Sequence, residues 1–396
     1  MSYLMGILSI ACVLFISWLL STNKKKFPWR TVLVGLGLET IFVLFVLKVP
    51  VGQTFLEKMA LGVQKVIDYS NKGILFVFGG LYEKTNITFI FAINVLVVII
   101  FISALVSALY YLRIIPFFVQ LVGTAIGKIL GTTKVETFNA VGNSFLGLAE
   151  APLLVKPYLA SLTKSELFAI MVGGTASASG AILVGYSLMG IDMKYLLIAV
   201  FSVPLVSIVI SKIMVPETEE SQTNENVSMA KSNHANVFEA IADGTTSGVM
   251  LALNIGGLLV AFISILALVD GILGIANLDL ATIFGYLFYP FAIIIGIPIS
   301  DALQAASIIG TKLAANEFVA YLSLTDMINE LSPKTVAILS VALCNFANFS
   351  SIGQLIIGLG SLAPSRRGDV SKMGLKAIIG GTLASFITAI LVGIFM

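Results

Sequence analysis

Two carboxylates in this sequence stand where a carboxylate is costly. Glu150 lies in Leu146-Gly147-Leu148-Ala149-Glu150-Ala151-Pro152, and Glu317 lies in Gly310-Thr311-Lys312-Leu313-Ala314-Ala315-Asn316-Glu317-Phe318-Val319-Ala320-Tyr321. An acid in such apolar surroundings needs a partner, and a ligand, a proton or a cation can each serve. The plain alternatives are a water-exposed loop for Glu150 and, for Glu317, a weak ion pair with Lys312 on a surface turn. Two amides, Asn143 and Asn348, also sit inside apolar stretches. They must find hydrogen-bond partners, on a neighbouring helix or on something bound. Pro152 removes a backbone donor and biases Ala151 away from helix, so a hairpin tip is expected around Glu150.

Elements that hold such residues must be apolar. Of 396 residues, 58% are hydrophobic and 11% charged, whereas soluble domains carry about 25% charged residues. Mean hydropathy is +1.03, and apolar runs of transmembrane length recur. A soluble fold, a disordered chain and a disulfide scaffold are excluded. So is a nucleic-acid binder, because 23 Lys+Arg against 21 Asp+Glu leave only +2 and no basic face. Cys12 and Cys344 fall in apolar runs and read as buried hydrophobes, and the single His234 cannot build a histidine metal site. The N-terminus, without a cationic leader or a small-residue cleavage site, reads as a retained first span.

Eight crossings are expected: Tyr3–Leu20, Val32–Leu47, Ile87–Leu112, Leu167–Leu188, Tyr195–Met214, Val249–Leu268, Val336–Leu359 and Ala377–Phe395. Basic clusters at 24–30 and 366–376 favour the cytoplasmic side and put both termini outside. Val51–Tyr69 has an apolar stripe with charged residues around it, as suits a helix in the membrane interface or one packed on a partner subunit. The apolar stretches within 114–163 are too short to span and suit interfacial or re-entrant segments. Residues 216–236 read as a polar linker. The chain thus divides into a scaffold region (1–115), a first transport half (116–215), a linker with an amphipathic segment (216–248) and a second half (249–396).

The two halves run in parallel. Each has a short interrupted region with one acid at its turn, and a helix broken by small polar residues follows 27 or 34 positions later, at Ser177 or Ser351. Broken helices leave backbone groups unpaired, which is tolerated at membrane depth only where they line a cavity or bind something. Paired interruptions in two halves point to the binding site of a secondary transporter. The expected fold is therefore an all-α integral membrane protein with about eight transmembrane helices, two re-entrant helical hairpins, two broken helices, interfacial helices and an inverted repeat. A phosphate-binding G-x4-G-K-[ST] loop is lacking. A channel would need a polar helix face, a hydrolase would need a nucleophile and base, and a receptor would not need paired breaks.

The segment Gly310-x-Lys312-x3-Asn316-Glu317-Phe318-Val319-Ala320-Tyr321 resembles the signature of the concentrative nucleoside transporter family. Asn345-Phe346-Ala347-Asn348-Phe349-Ser350-Ser351-Ile352-Gly353, the Gly147–Pro152 tip, Lys156-Pro157-Tyr158 and the Ser177–Gly180 break resemble further parts of it, so the likeness covers nearly the whole chain. The resemblance implies nucleoside import by ion symport in a multi-pass protein of the cell (cytoplasmic) membrane, embedded in lipid as a homotrimer, with no enzymatic cofactor. It implies that Glu317, Asn348 and Ser351 bind the ribose hydroxyls, while Leu148, Ala149, Glu150, Ile182 and Phe346 face the base. Two vicinal hydroxyls are well read by a carboxylate and an amide. Leu148-Ala149 stands where pyrimidine-favouring relatives carry polar pairs, which leans toward purine nucleosides. Asn143, Leu146, Ser177 and Ala178 stand at the positions of a Na+ site. Proton coupling with broad or pyrimidine specificity is the alternative, with Glu150 as the titrating group.

Overall fold

The computed structural model describes residues 3–85, 90–223, 227, 229–230 and 232–396, with the backbone alone for 81–85. Apolar runs become α1 (Tyr3–Leu19), α2 (Trp29–Lys48), α3 (Pro50–Thr85), α4 (Val97–Tyr111), α5 (Ile114–Leu130), α6 (Lys134–Gly142), α7 (Lys164–Ala176), α8 (Gly180–Leu188) and α9 (Met193–Met214). The second half supplies α10 (Val237–Gly274), α11 (Leu280–Ile294), α12 (Ala302–Ala314), α13 (Glu317–Asp326), α14 (Pro333–Ala342), α15 (Ser350–Leu362) and α16 (Arg367–Phe395). Among the described residues, six segments, Trp29–Lys48, Ala92–Tyr111, Lys164–Leu188, Met193–Met214, Val237–Gly274 and Pro364–Phe395, are long and apolar enough to cross a membrane. The 17-residue α1 and the interrupted α14–α15 pair account for the other two expected crossings. The fold is all-α and membrane-integral.

Some of these boundaries differ from expectation, among them the start of α16 at Arg367 where Ala377 was expected. The helix expected over Val51–Tyr69 continues to Thr85, because the apolar stripe resumes after Asn71-Lys72-Gly73. The span expected to begin at Val249 begins at Val237, where Asn236 Oδ1 accepts from Glu239 N at 2.9 Å. Its first turns look amphipathic in sequence because small residues there are packed: Ala240, Gly244, Gly248 and Ala252 form the buried stripe of α10. A Cβ at Gly248 would lie 2.7 Å from Ile100 Cα, so glycine lets α10 close on α4 backbone to backbone. The span expected over Ile87–Leu112 is described only from residue 90, and 87–89 lie outside the described residues.

The centre of the molecule is α7, α9 and α16. The most apolar window of α9 is 94% buried, whereas that of α10 is 17% buried. At one end Lys212 of α9 pairs with Glu136 in the first turn of α6 and donates to Ser165 Oγ of α7 at 2.9 Å. Both side chains of that pair are nearly inaccessible.

Two hairpins enter this bundle. The nine residues of α6 reach only about 14 Å, after which the chain turns through 143–150 and returns as the 3₁₀ segment Ala151–Ser161. The second hairpin is α12 and α13, turning at Ala315-Asn316. The base of the second hairpin is tied to the start of the following broken helix. Asp301 accepts from Ser332 N at 3.0 Å, Ser332 Oγ at 2.6 Å and Thr335 Oγ1 at 2.6 Å. Thr163, which caps α7, bonds Glu217 at 2.8 Å. The bases lie at opposite ends of α16: Arg366 donates to the carbonyls of Ala160 and Leu162, while Gly393 packs on Ile338 and Lys334 of α14. The two halves are therefore inverted with respect to each other.

Candidate functional site

Four irregular segments meet where the hairpin tips and helix breaks converge, and their backbone groups satisfy one another. The first tip bonds the first break, with Gly180 N donating to Phe145 O at 3.2 Å. The breaks bond each other through Phe346 N and Ser177 O at 3.0 Å. The second break bonds the second hairpin through Phe349 N and Leu313 O at 3.3 Å. This is how non-helical backbone survives deep in an apolar bundle. Gly147, at φ +116, brings the first tip against the break: an added Cβ would lie 2.8 Å from Ser179 Cβ.

Side chains complete the second tip. Asn316 caps α13 by accepting from Val319 N at 3.0 Å, which puts Glu317 in the first helical turn, where the helix dipole favours negative charge. Glu317 is 4% exposed, and its Oε2 accepts from Asn348 Nδ2 at 2.9 Å. Asn348 Oδ1 in turn receives Ser350 Oγ at 2.7 Å and Ser351 N at 3.1 Å. Lys312 is buried and donates to Asn345 Oδ1, which also accepts from Ala347 N at 3.0 Å. The surface-turn ion pair considered for Glu317 is thus not what forms.

A cavity of about 340 Å³ opens beside this pair. Glu317, Asn348, Phe346, Ile182 and Ala149 line it, so one space collects residues from both tips and both breaks. Ser351 is fully buried behind it, with its hydroxyl donating to Phe346 O. A second cavity, of about 190 Å³, holds Glu150 with Leu146, Ser179, His234 and Asp243. Leu251 of α10 borders both, so the two acids occupy adjoining chambers along one helix face. Leu148 lines neither: it is 5% exposed and its side chain packs on Gly174.

The residues at the cation positions cluster at the first tip and break. Asn143, Ser177 and Ala178 are fully buried and Leu146 nearly so. Asn143 Nδ2 donates to Asn139 O at 2.9 Å, but its Oδ1 is buried with no donor. Ser177 Oγ donates to Gly174 O at 3.0 Å.

Sequence reasoning missed three groups that line the larger cavity: Asn254, Asn316 and Gln354. The signal for Asn254 was present, since it is the one amide in α10. In sequence it lies within an otherwise plain apolar span.

Comparison with known proteins agrees with this geometry. Residues 195–393 match the family model described as the C-terminus of Na+ dependent nucleoside transporters, residues 8–81 its N-terminal counterpart, and residues 92–193 a model described as nucleoside recognition. An uncharacterized transporter, YutK, of Bacillus subtilis is 44% identical over the whole of both chains. The nucleoside permease NupC of Helicobacter pylori is 41% identical over 100% of this chain and 98% of its own. The solved structure of CNTnw in an inward-facing substrate-bound state superposes with a TM-score of 0.95 at 39% identity, covering 99% of this chain and 98% of that one. From its paired tips and breaks to these full-length relatives, the chain belongs to the concentrative nucleoside transporter family.

Proposed function

We propose that this nucleoside transporter imports its cargo against a gradient by symport with Na+ and favours purine nucleosides. The observation that carries the reading is the bond between the two breaks. It joins the buried Asn143–Ser177 cluster to the wall of the cavity that holds Glu317 and Asn348. An ion at the first break and a nucleoside at the second then stabilise one shared backbone junction.

In this reading the ribose hydroxyls donate to Glu317 and Asn348, and Ser351 braces Asn348 from behind. The base lies against Phe346, Ile182 and Ala149. The purine preference rests on Ala149, which offers a methyl group and no side-chain partner for a pyrimidine edge, with Leu148 acting from behind the tip. Na+ is held by Asn143 Oδ1 and Ser177 Oγ with the carbonyls of Leu146 and Ala178. The unpartnered Oδ1 supports that assignment, because a buried acceptor without a donor is costly unless something positive occupies it. Neutral oxygens suit a hard monovalent cation. The hairpin-bearing unit moves against a scaffold that includes α4 and α10, in a homotrimer of the cell membrane whose protomers work separately.

The test is uptake of labelled adenosine or uridine into proteoliposomes under an inward Na+ gradient or an inward pH gradient. Accumulation driven by Na+ is expected. Accumulation under the pH gradient alone would transfer coupling to protons at Glu150, and none under either gradient would remove the active-transport reading.

A further inference from the structure

The cavity at Glu317 contains two amide side chains with no partner of their own. Asn254 and Gln354 both line it, both are exposed, and neither makes a hydrogen bond among the described residues. The other amides in the wall are engaged: Asn348 by Glu317, Ser350 and Ser351, and Asn316 by Val319 N. Phe346, Ile182 and Ala149 present only apolar side-chain surface. A nucleoside whose ribose sits at Glu317 therefore has its base faces covered, while the hydrogen-bonding edge of the base finds free amides.

The two amides differ in what carries them. Gln354 rides on α15, one turn beyond Ser350 and Ser351. Asn254 belongs to α10, which Gly244 and Gly248 lock against α4, so backbone packing fixes its place. Its cavity-lining neighbours on α10 are Leu251, Ile255 and Leu258. An exposed amide among such residues is a free donor and acceptor for a polar ligand entering the cavity.

We propose that Asn254 is a specificity-determining residue that reads the edge of the nucleobase from the α4–α10 side. Its side chain offers two donors and an acceptor, and an asparagine meets adenine with one bond to the exocyclic amine and one to a ring nitrogen. The proposal rests on the ribose assignment at Glu317, so its test must separate the two.

The experiment is competition for uptake by Asn254→Leu and wild-type protein in proteoliposomes. The competitors are adenosine, purine riboside (adenosine without the exocyclic amine) and 2′-deoxyadenosine. Leucine suits an apolar helix and keeps the fold. Losing one or two hydrogen bonds weakens adenosine by roughly tenfold and purine riboside by less than about threefold, so the adenosine advantage collapses. The penalty for 2′-deoxyadenosine relative to adenosine stays the same in both proteins, because the ribose contacts lie on other elements. An unchanged adenosine to purine riboside ratio overturns the role of Asn254, as does an equal weakening of both competitors. Absence of any 2′-deoxy penalty in wild type overturns the ribose assignment instead.

Discussion

Replacing Glu317 with glutamine keeps the side-chain shape and removes the charge. Asn348 Nδ2 donates to Glu317 Oε2 at 2.9 Å, and a glutamine carbonyl accepts the same bond. The side chain is 4% exposed, so isosteric replacement leaves its packing intact. Lys312 keeps its bond to Asn345. What disappears is charge assistance to the two ribose hydroxyls, together with the attraction on buried Lys312, a loss that every ligand shares. Hydrogen bonds to a charged group contribute about 1.5–3 kcal/mol and neutral ones about 0.5–1.5 kcal/mol, so two hydroxyls together lose about 2 kcal/mol. That corresponds to roughly thirtyfold in affinity. The assay is competition for uptake by adenosine and 2′,3′-dideoxyadenosine, with expression and melting temperature as controls. Adenosine should weaken by about that factor, while the dideoxy compound, which has no hydroxyl to lose, changes by less than about threefold. Equal weakening of both compounds, or unchanged adenosine affinity, would refute the assignment of Glu317 to the ribose.

Asn143→Ala should raise the Na+ concentration for half-maximal uptake by about tenfold, as for a lost charge-assisted ligand; unchanged Na+ dependence would take Asn143 out of the ion site. Lys212→Met strands Glu136, whose side chain is fully buried, and should destabilise the protein by about 3–5 kcal/mol, read as a fall in melting temperature in detergent. Gly147→Ala places a Cβ 2.8 Å from Ser179 Cβ at a positive φ. It should cost about 1–3 kcal/mol and cut uptake more than it lowers expression, because the strain falls on the contact between tip and break.

What the sequence revealed follows from chemistry that is expensive to hide. Glu317 and Asn348 were visible because a carboxylate and an amide in apolar stretches each need a partner, and they turn out to be partners of one another. The breaks at Ser177 and Ser351 showed as small polar residues interrupting helical runs, and Phe346 N on Ser177 O explains why both interruptions are tolerated. Long helices were less legible. Gly244 and Gly248 read as the end of a linker, since nothing local says that α4 lies against them. Glu39 passed unnoticed inside a plain span, yet it is fully buried in α2 and accepts from Thr388 Oγ1 of α16 at 3.0 Å, a contact 349 residues away in sequence. Leu148 shows the limit of reasoning by position: its neighbour Ala149 faces the cavity, while Leu148 turns back onto Gly174. One residue along a tip reverses the direction of a side chain, and spacing does not fix which way it points.

Reciprocal binding of Na+ and adenosine reports on the shared junction of the two breaks. If ion and nucleoside stabilise the same junction of breaks, Na+ must raise adenosine affinity, and adenosine must raise Na+ affinity by the same factor. Titrating purified protein with each ligand, at zero and saturating levels of the other, measures both factors. Equal factors are expected in wild type, and in Asn143→Ala about tenfold more Na+ is needed to reach them, with adenosine binding in the absence of Na+ unchanged. Adenosine affinity that ignores Na+ in the wild-type protein would contradict coupling through the junction.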